Sequence, residues 1–179
     1  MNSDQLYFFR DELEKLGRSG TGTEGGEATA FRKFKITQGW NVSSSPSGKK
    51  LKLLESHDSK SNTMSYSLHD AERYEKEGAR TSRVAYMAIS SPVGKSIKDA
   101  RVVEIKGMYV DPDHRRKNLG KTLVAATRQL RPSAHFLAKP DPFKDRSVSR
   151  DDLEKVYSSY GFRKVGLAPG YMVALAGQD

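Results

Sequence analysis

The stretch VEIKGMYVDPDHRRKNLGKTLV, residues 103–124, decides how this chain folds. Its first part is apolar and ends at Asp111-Pro112, which is typical of a strand closed by a turn. A basic segment follows, and apolar residues then recur at helical spacing up to Leu130, shortly before Pro132. The stretch therefore predicts a strand, a basic loop and a helix in direct succession.

The junction between the basic loop and the helix has the properties of an anion site. The first turn of a helix leaves about four backbone N–H groups unpaired, and the helix dipole adds roughly half a positive charge there. Gly120 has no side chain in that turn, so a diphosphate can approach the backbone closely. The cations around the junction are Arg115, Arg116, Lys117 and Lys121. The pattern differs from a P-loop, which needs glycine where Arg115 stands.

The rest of the chain predicts alternating strands and helices. Strands are predicted at residues 83–90, 101–110, 135–138 and 171–176, helices at 119–130 and 149–160, and a turn at 91–94. The weaker upstream patterns predict a helix at 4–16, a loop at 17–26, strands at 28–36 and 51–54, turns at 43–50, a polar loop at 57–63 and a charged helix at 67–78. The alternation predicts an α/β or α+β fold in which helices pack on one sheet.

Two segments of the chain resemble the GNAT N-acetyltransferase superfamily. Val110 and Pro112 match the Val-x-Pro lead-in of that family, Arg115 matches its Arg/Gln position, and Gly120 its last glycine. The helix face matches at Leu119, Leu123 and Val124. Asn118 stands where the first glycine is usual, and asparagine tolerates the left-handed conformation well. The second segment, YSSYGF at residues 157–162, resembles the later Tyr-x-x-x-Gly-Phe motif of the family.

The resemblance implies a fold and an activity. The fold is α/β (α+β), a GNAT-like mixed and mostly antiparallel central sheet flanked by helices, in one domain over residues 1–179. Residues 83–176 would form the cofactor-binding core, whereas residues 1–82 match no part of the family pattern and would be a divergent N-terminal part. The implied activity is direct transfer of an acetyl or other acyl group from acetyl-CoA to a primary amine.

The resemblance also implies roles for individual residues. Glu104 is the candidate base for the acceptor amine, although it also fits an exposed strand position beside Lys106. Tyr157 is the candidate acid for the departing thiolate, and the alternative is a core aromatic packed on Phe162. A bulge at Gly107 would free backbone N–H groups for the acyl oxygen and the pantetheine arm. The expected cofactor-binding residues are Met108, Tyr109, Val110, Arg115, Arg116, Lys117, Asn118, Leu119, Gly120, Lys121 and Thr122.

Composition limits the chemistry and the partners. The chain has no cysteine, which excludes disulfides, thiolate metal sites and a cysteine nucleophile. Its four histidines show no paired metal spacing, so no metal is expected; they are His57, His69, His114 and His135. The net charge of +9 favours anionic partners, either a phosphorylated cofactor or nucleic acid. No signal peptide or membrane span is readable, which leads us to expect a cytoplasmic protein.

Three interpretations of the function remain open at this point. The first is an N-acetyltransferase whose acceptor is a small amine, a protein amine or an aminoacyl-tRNA. The second is a GNAT-like protein without catalysis that serves as a structural or binding module, for example a bacteriophage accessory or virion component. The third is a basic protein that binds nucleic acid through the loop. The sequence leaves the oligomeric state open as well, a dimer included.

Overall fold

A mixed sheet of eight strands runs through the residues that the computed structural model describes, which are 35–42, 50–92, 96–141, 148–166 and 169–177. The strands are β1 (Lys35–Val42), β2 (Leu51–Asp58), β3 (Thr63–Asp70), β4 (Arg83–Ser90), β5 (Val102–Val110), β6 (His135–Ala138), β7 (Arg163–Lys164) and β8 (Met172–Ala174). The helices are α1 (Ala71–Glu77), α2 (Ala79–Ser82), α3 (Leu119–Leu130) and α4 (Arg150–Ser159), and a short 3₁₀ turn covers Pro112–His114.

The order of the strands in the sheet is β1-β2-β3-β4-β5-β6-β8-β7. Neighbouring strands are antiparallel except β5 and β6, which are parallel. A parallel pair needs a crossover connection, and the basic loop with α3 supplies it. The expected mixed, mostly antiparallel sheet with helices is therefore confirmed.

The two faces of the sheet carry separate apolar clusters. On the helix face, Val103 and Ile105 of β5 belong to one large cluster with Leu119 and Leu123 of α3 and with Tyr157 of α4. On the opposite face, a small cluster joins Val102, Leu137 and Val173. Successive side chains of a strand alternate between faces, so Glu104 belongs to the opposite face.

Local sequence signals explain where α4 begins and ends. The hydroxyl of Ser149 accepts the backbone N–H of Asp152, which is the capping bond expected at the first turn. At the other end Gly161 takes a φ of 89°, a conformation that favours glycine. Helix α4 therefore occupies the stretch predicted for it, as do α3 and strands β4, β5 and β6, with ends that differ by one residue at most.

The prediction of a charged helix over residues 67–78 is wrong in its first part. Strand β3 continues to Asp70, where pairing with both β2 and β4 buries Leu68 and His69. The helix starts only at Ala71, because the Asp70 carboxylate accepts the N–H groups of Glu72 and Arg73 and caps it there. Tertiary pairing outweighed the polar composition of this stretch.

The polar loop predicted at residues 57–63 is also too long. Strand β2 extends past residue 54 to Asp58, and β3 already begins at Thr63. The hairpin turn is short, and Asn62 enters it with a φ of 51°. At the C-terminus β8 covers only Met172–Ala174 of the predicted 171–176. The predictions for residues 4–16, 17–26, 28–34, 43–49 and 93–94 lie outside the described residues.

Candidate active site

Strands β5 and β6 separate partway along the sheet. Their parallel pairing runs from Val102 opposite His135 to Ile105 opposite Ala138. Beyond that point β5 continues to Val110 and pairs with β4 alone. We call this place, where β5 past Ile105 has no strand on its β6 side among the described residues, the fork. It leaves a row of backbone groups without strand partners along one edge of β5.

A β-bulge lies at the mouth of the fork. Ala88 of β4 pairs with Gly107, whereas the next residue, Ile89, pairs with Ile105, so Lys106 is the extra residue. The bulge predicted at Gly107 is therefore present. A Cβ atom at Gly107 would meet nothing within 4 Å, so the glycine leaves open space beside the bulge.

The basic loop continues directly from β5 and holds two residues in left-handed conformation. Asp111 closes a tight turn by accepting the N–H of Asp113, and Arg115 donates its N–H to the Pro112 carbonyl. Arg116 then takes a φ of 61° and Asn118 a φ of 55°. Asn118 thus adopts the conformation that its place in the glycine pattern requires.

Helix α3 presents unpaired backbone donors to this loop. Its first helical bond joins the N–H of Thr122 to the Asn118 carbonyl, and residues 119–121 precede that bond. The predicted loop cations are all exposed; they are Arg115, Arg116, Lys117 and Lys121. Among the predicted cofactor residues Leu119 is different, because its side chain is buried in the core and only its backbone faces the loop. Donors, cations and two tight backbone turns together fit a diphosphate.

The close approach at Gly120 involves a protein side chain, which the sequence alone did not reveal. A Cβ atom at Gly120 would lie 2.5 Å from the Tyr160 hydroxyl oxygen. Glycine therefore leaves room for the Tyr160 ring against the first turn of α3. Tyr160 is half-buried, and its burial raises the pKa of its hydroxyl above the ordinary value.

Glu104 lies on the opposite face, next to the fork, and is only 8% exposed. Its Oε2 atom accepts a hydrogen bond from Nζ of Lys106 at 2.7 Å. Tyr171 lies close enough for the negative charge of Glu104 to add to the effect of burial, and both raise the pKa of Tyr171. Among the described residues, Glu104 is therefore a buried carboxylate that forms an ion pair with Lys106. Tyr171 was not foreseen, because only the long-range pairing of β8 brings it here.

Tyr157 lies on the helix face and is 8% exposed. Its ring packs edge to face on Phe162, with ring centroids 5.4 Å apart, and on Tyr160 at 6.3 Å. Burial, with a smaller effect of Tyr160, raises the pKa of Tyr157 to about 12. Its hydroxyl makes no hydrogen bond with a described residue, and its oxygen is not among the buried polar atoms that lack a partner, so the tip of this buried ring reaches solvent. The two predicted roles, packing and proton donation, are compatible in this geometry.

The remaining predicted ligands follow β5 out of the fork. Met108 and Val110 are half-buried on the helix face, whereas Tyr109 is 46% exposed. Thr122 donates its hydroxyl to the Asn118 carbonyl.

In the part of the chain that the structure describes, no group of three or more His, Asp or Glu side chains is placed to hold a metal ion. No helix of that part is long and apolar enough to cross a bilayer.

The comparison with protein families matches the middle part of the chain. Residues 54–134 match the model described as Acetyltransferase (GNAT) family. The matched stretch begins in β2, includes Glu104 and the whole basic loop, and ends just before β6. This part of the chain is therefore similar to the GNAT acetyltransferase family. No curated protein matches it significantly.

Several solved structures are similar to part of this chain. The GNAT family N-acetyltransferase YhbS from Escherichia coli, in complex with CoA, is 18% identical, with a TM-score of 0.40 over 62% of this chain and 57% of that one. The ribosomal-protein-S18-alanine N-acetyltransferase from Escherichia coli is 14% identical, with a TM-score of 0.42 over 66% and 72%. A GNAT family acetyltransferase from Staphylococcus aureus Mu50 is 14% identical, with a TM-score of 0.41 over 64% and 68%. This chain thus spans less than two thirds of the YhbS structure.

Proposed function

We propose that this protein transfers an acetyl group from acetyl-CoA to a primary amine, and that the amine attacks the thioester directly. The observation that carries the proposal is the continuity of two features: the fork in β5 leads straight into the basic loop and the first turn of α3. An elongated ligand with a diphosphate at one end and a thioester at the other matches that arrangement. The match of residues 54–134 to an acetyltransferase family model supports the same chemistry in general terms.

The proposed binding site divides the ligand between loop and strand. The diphosphate lies against Arg115, Arg116 and Lys117 and accepts hydrogen bonds from the first turn of α3. Arg116 and Asn118 shape the loop by their left-handed backbone. The pantetheine arm lies along β5 and replaces the missing strand partner of residues 108–110.

The proposed reaction places three groups around the thioester. A backbone N–H at Met108 or Tyr109 stabilises the negative charge that develops on the carbonyl oxygen. Glu104 takes a proton from the attacking amine on the opposite face, and Tyr157 gives a proton to the sulfur from the helix face. Because burial raises the pKa of Tyr157 to about 12, its hydroxyl stays protonated at neutral pH. The chain has no cysteine, so it offers no thiol for an acyl-enzyme intermediate.

The proposed acceptor approaches the opposite face, where Glu104 and Tyr171 lie near the fork. A buried carboxylate beside a tyrosine favours a cationic amine over an anionic one. Small amines, peptides with a lysine or a free N-terminus, and aminoacyl-tRNA are the acceptor classes to be compared. Release of the CoA thiol in the presence of each class measures the preference.

Calorimetry with acetyl-CoA tests the proposal. We expect the wild-type chain to bind acetyl-CoA. In Arg115→Glu the affinity should fall by about tenfold or more, because the new carboxylate repels the phosphate that the guanidinium attracts. Arg163→Glu is the matched control, since Arg163 is equally exposed but lies on β7. Absence of binding by the wild type at millimolar acetyl-CoA would contradict the proposal and favour a GNAT-like protein without catalysis.

A further inference from the structure

The Lys106 ammonium occupies the position that a substrate amine would take. It donates to Oε2 of Glu104 at 2.7 Å, and Glu104 is the proposed base. Lys106 is also the bulged residue, the first one of β5 beyond the last pair with β6. Its side chain therefore starts at the mouth of the fork and ends on the group that would deprotonate an acceptor.

We infer that Lys106 is an acetylation site of the protein itself, modified by the acetyl-CoA bound in the same molecule. The inference rests on the proposed function. Lys106 is half-exposed, with 52% of its side chain accessible, whereas the Glu104 side chain is 11% accessible. The carboxylate is thus fixed by burial, and the lysine is free to swing from it towards the fork.

The reaction balances without any further reactant. Glu104 takes one proton from the Lys106 ammonium, and the free amine attacks the carbonyl carbon of the thioester. A C–N bond forms, the C–S bond breaks, and CoA leaves as a thiolate that takes the proton of the Tyr157 hydroxyl. After the attack the nitrogen loses its second proton to solvent, solvent reprotonates Tyr157, and Glu104 releases the first proton, so the net products are acetyl-lysine, the CoA thiol and one proton. The attack is intramolecular once acetyl-CoA is bound, which gives it a large effective concentration.

Another ion-paired lysine of the described residues, Lys164, lacks this setting. Lys164 donates to Glu154 at 2.6 Å, and 71% of its side chain is accessible. It is on β7 at the edge of the sheet, whereas the fork is in β5. Lys164 is therefore a matched internal control: a lysine of the same chemistry with greater exposure and no adjacent thioester site. Chemical acetylation by free acetyl-CoA would favour Lys164 over Lys106.

Acetylation would also change the acceptor site. The acetylated lysine is neutral, so Glu104 would lose its ion pair with Lys106. The site would then carry a net negative charge next to the fork. Its attraction for a cationic acceptor would increase.

Peptide mass spectrometry after incubation of the full chain with isotopically labelled acetyl-CoA tests the inference. We expect label at Lys106 to exceed label at Lys164 by more than about tenfold, and the rate per molecule to stay constant on dilution of the protein. Equal labelling of the two lysines, or a rate that falls in proportion to protein concentration, would overturn the inference.

Two variants separate the inference from the proposed function. Glu104→Gln should lower label at Lys106 and leave Lys164 unchanged, and Lys106→Arg should lose the label while still binding acetyl-CoA in calorimetry. If Glu104→Gln does not fold, the comparison of the two lysines in the wild type still decides. Acetyl-CoA binding without label at Lys106 overturns the inference alone, whereas no binding by the wild type overturns the proposed function too.

Discussion

Asn118 shows how a single residue decides whether the basic loop can form. Its φ of 55° is left-handed, a conformation that costs most residues roughly 1–2 kcal/mol and costs glycine nothing. Asparagine is among the residues that tolerate it best, which explains how the loop forms without the usual glycine. Its side chain makes no capping hydrogen bond to α3, so replacement by glycine would remove no such bond.

Asn118→Gly should therefore stabilise the protein by about 0.5–1 kcal/mol, because the loop is relieved of strain. Chemical denaturation measures the change. Lys117→Gly is the matched control, since Lys117 is the adjacent loop residue and is not among those with positive φ. It should lower stability by increasing the freedom of the unfolded chain. Equal effects of the two substitutions would show that strain at Asn118 is absent.

Tyr157→Phe tests the proposed proton donor at the same scale. The hydroxyl bonds to no described residue, so its removal should leave the fold intact. The ring contacts with Phe162 remain in the variant. We expect turnover to fall by about 100-fold with little change in acetyl-CoA affinity. Tyr160→Phe is the neighbouring control, and an unchanged rate in Tyr157→Phe would assign Tyr157 to packing alone.

At the scale of elements, the contact between α3 and α4 depends on Gly120. The Tyr160 hydroxyl lies 2.5 Å from the place of a Cβ atom, and the ring carbon behind it lies at 3.2 Å. A side chain at position 120 would displace the Tyr160 ring from this contact. The contact therefore links the first turn of α3, where the cofactor site is proposed, to the helix that carries Tyr157.

A double-mutant cycle measures this contact. Gly120→Ala should destabilise the protein by about 1–3 kcal/mol, as expected for an overpacked contact. The loss should be smaller by about 1 kcal/mol when Tyr160 is already phenylalanine, because the clashing oxygen is gone. Urea unfolding of the wild type, both single variants and the double variant provides the data. Additive losses would mean that the two residues do not meet.

The joint between β3 and the two short helices contains a buried histidine. Ser82 donates its hydroxyl to the Gly78 carbonyl at 2.7 Å, so it accepts from Nδ1 of His69 at 3.0 Å. Nε2 is then the acceptor for the Ser67 hydroxyl at 2.8 Å. This chain of bonds requires a neutral ring. Burial, with the charges of Arg83 and Lys52, lowers the pKa of His69 to about 4.

Stability should therefore fall as the pH falls from about 6.5 to about 4. The ordinary pKa of 6.5 applies to the unfolded chain, which binds a proton in this range while the folded chain does not. The loss attributable to His69 is roughly 1–3 kcal/mol. Urea unfolding across the range measures it, and His69→Gln should reduce the slope. An unchanged slope in that variant would place the acid sensitivity elsewhere.

At the scale of the whole molecule, the fork divides the sheet into a paired and an unpaired region. Within the described residues, strands β2 to β4 pair on both sides, whereas residues 106–110 of β5 have a strand on one side only. A ligand that fills the fork would add backbone hydrogen bonds there and none in the β2–β3 hairpin.

Amide hydrogen exchange should therefore slow in residues 106–110 when acetyl-CoA is added, and remain unchanged in Leu51–Asp58 of β2. Mass spectrometry of peptides from the free and bound protein measures both regions. Protection spread evenly over the sheet would indicate general stabilisation and would argue against a ligand in the fork.

The sequence by itself determined the features that depend on near neighbours along the chain. The strand, basic loop and helix of residues 103–124, the cap at Ser149 and the end of α4 at Gly161 depend on local conformational preferences, and their residues are adjacent. The bulge at Gly107 was also predictable, since glycine in a strand often marks one.

Only the tertiary structure decided which distant residues meet. The fork needs the pairing of β5 with β6, Tyr171 reaches Glu104 through β8, and Tyr160 meets Gly120 through the packing of two helices. The same structure corrected the start of α1, because burial of β3 between two strands outweighed local preference. Such contacts depend on register and packing between segments far apart in the chain, and no local pattern encodes them.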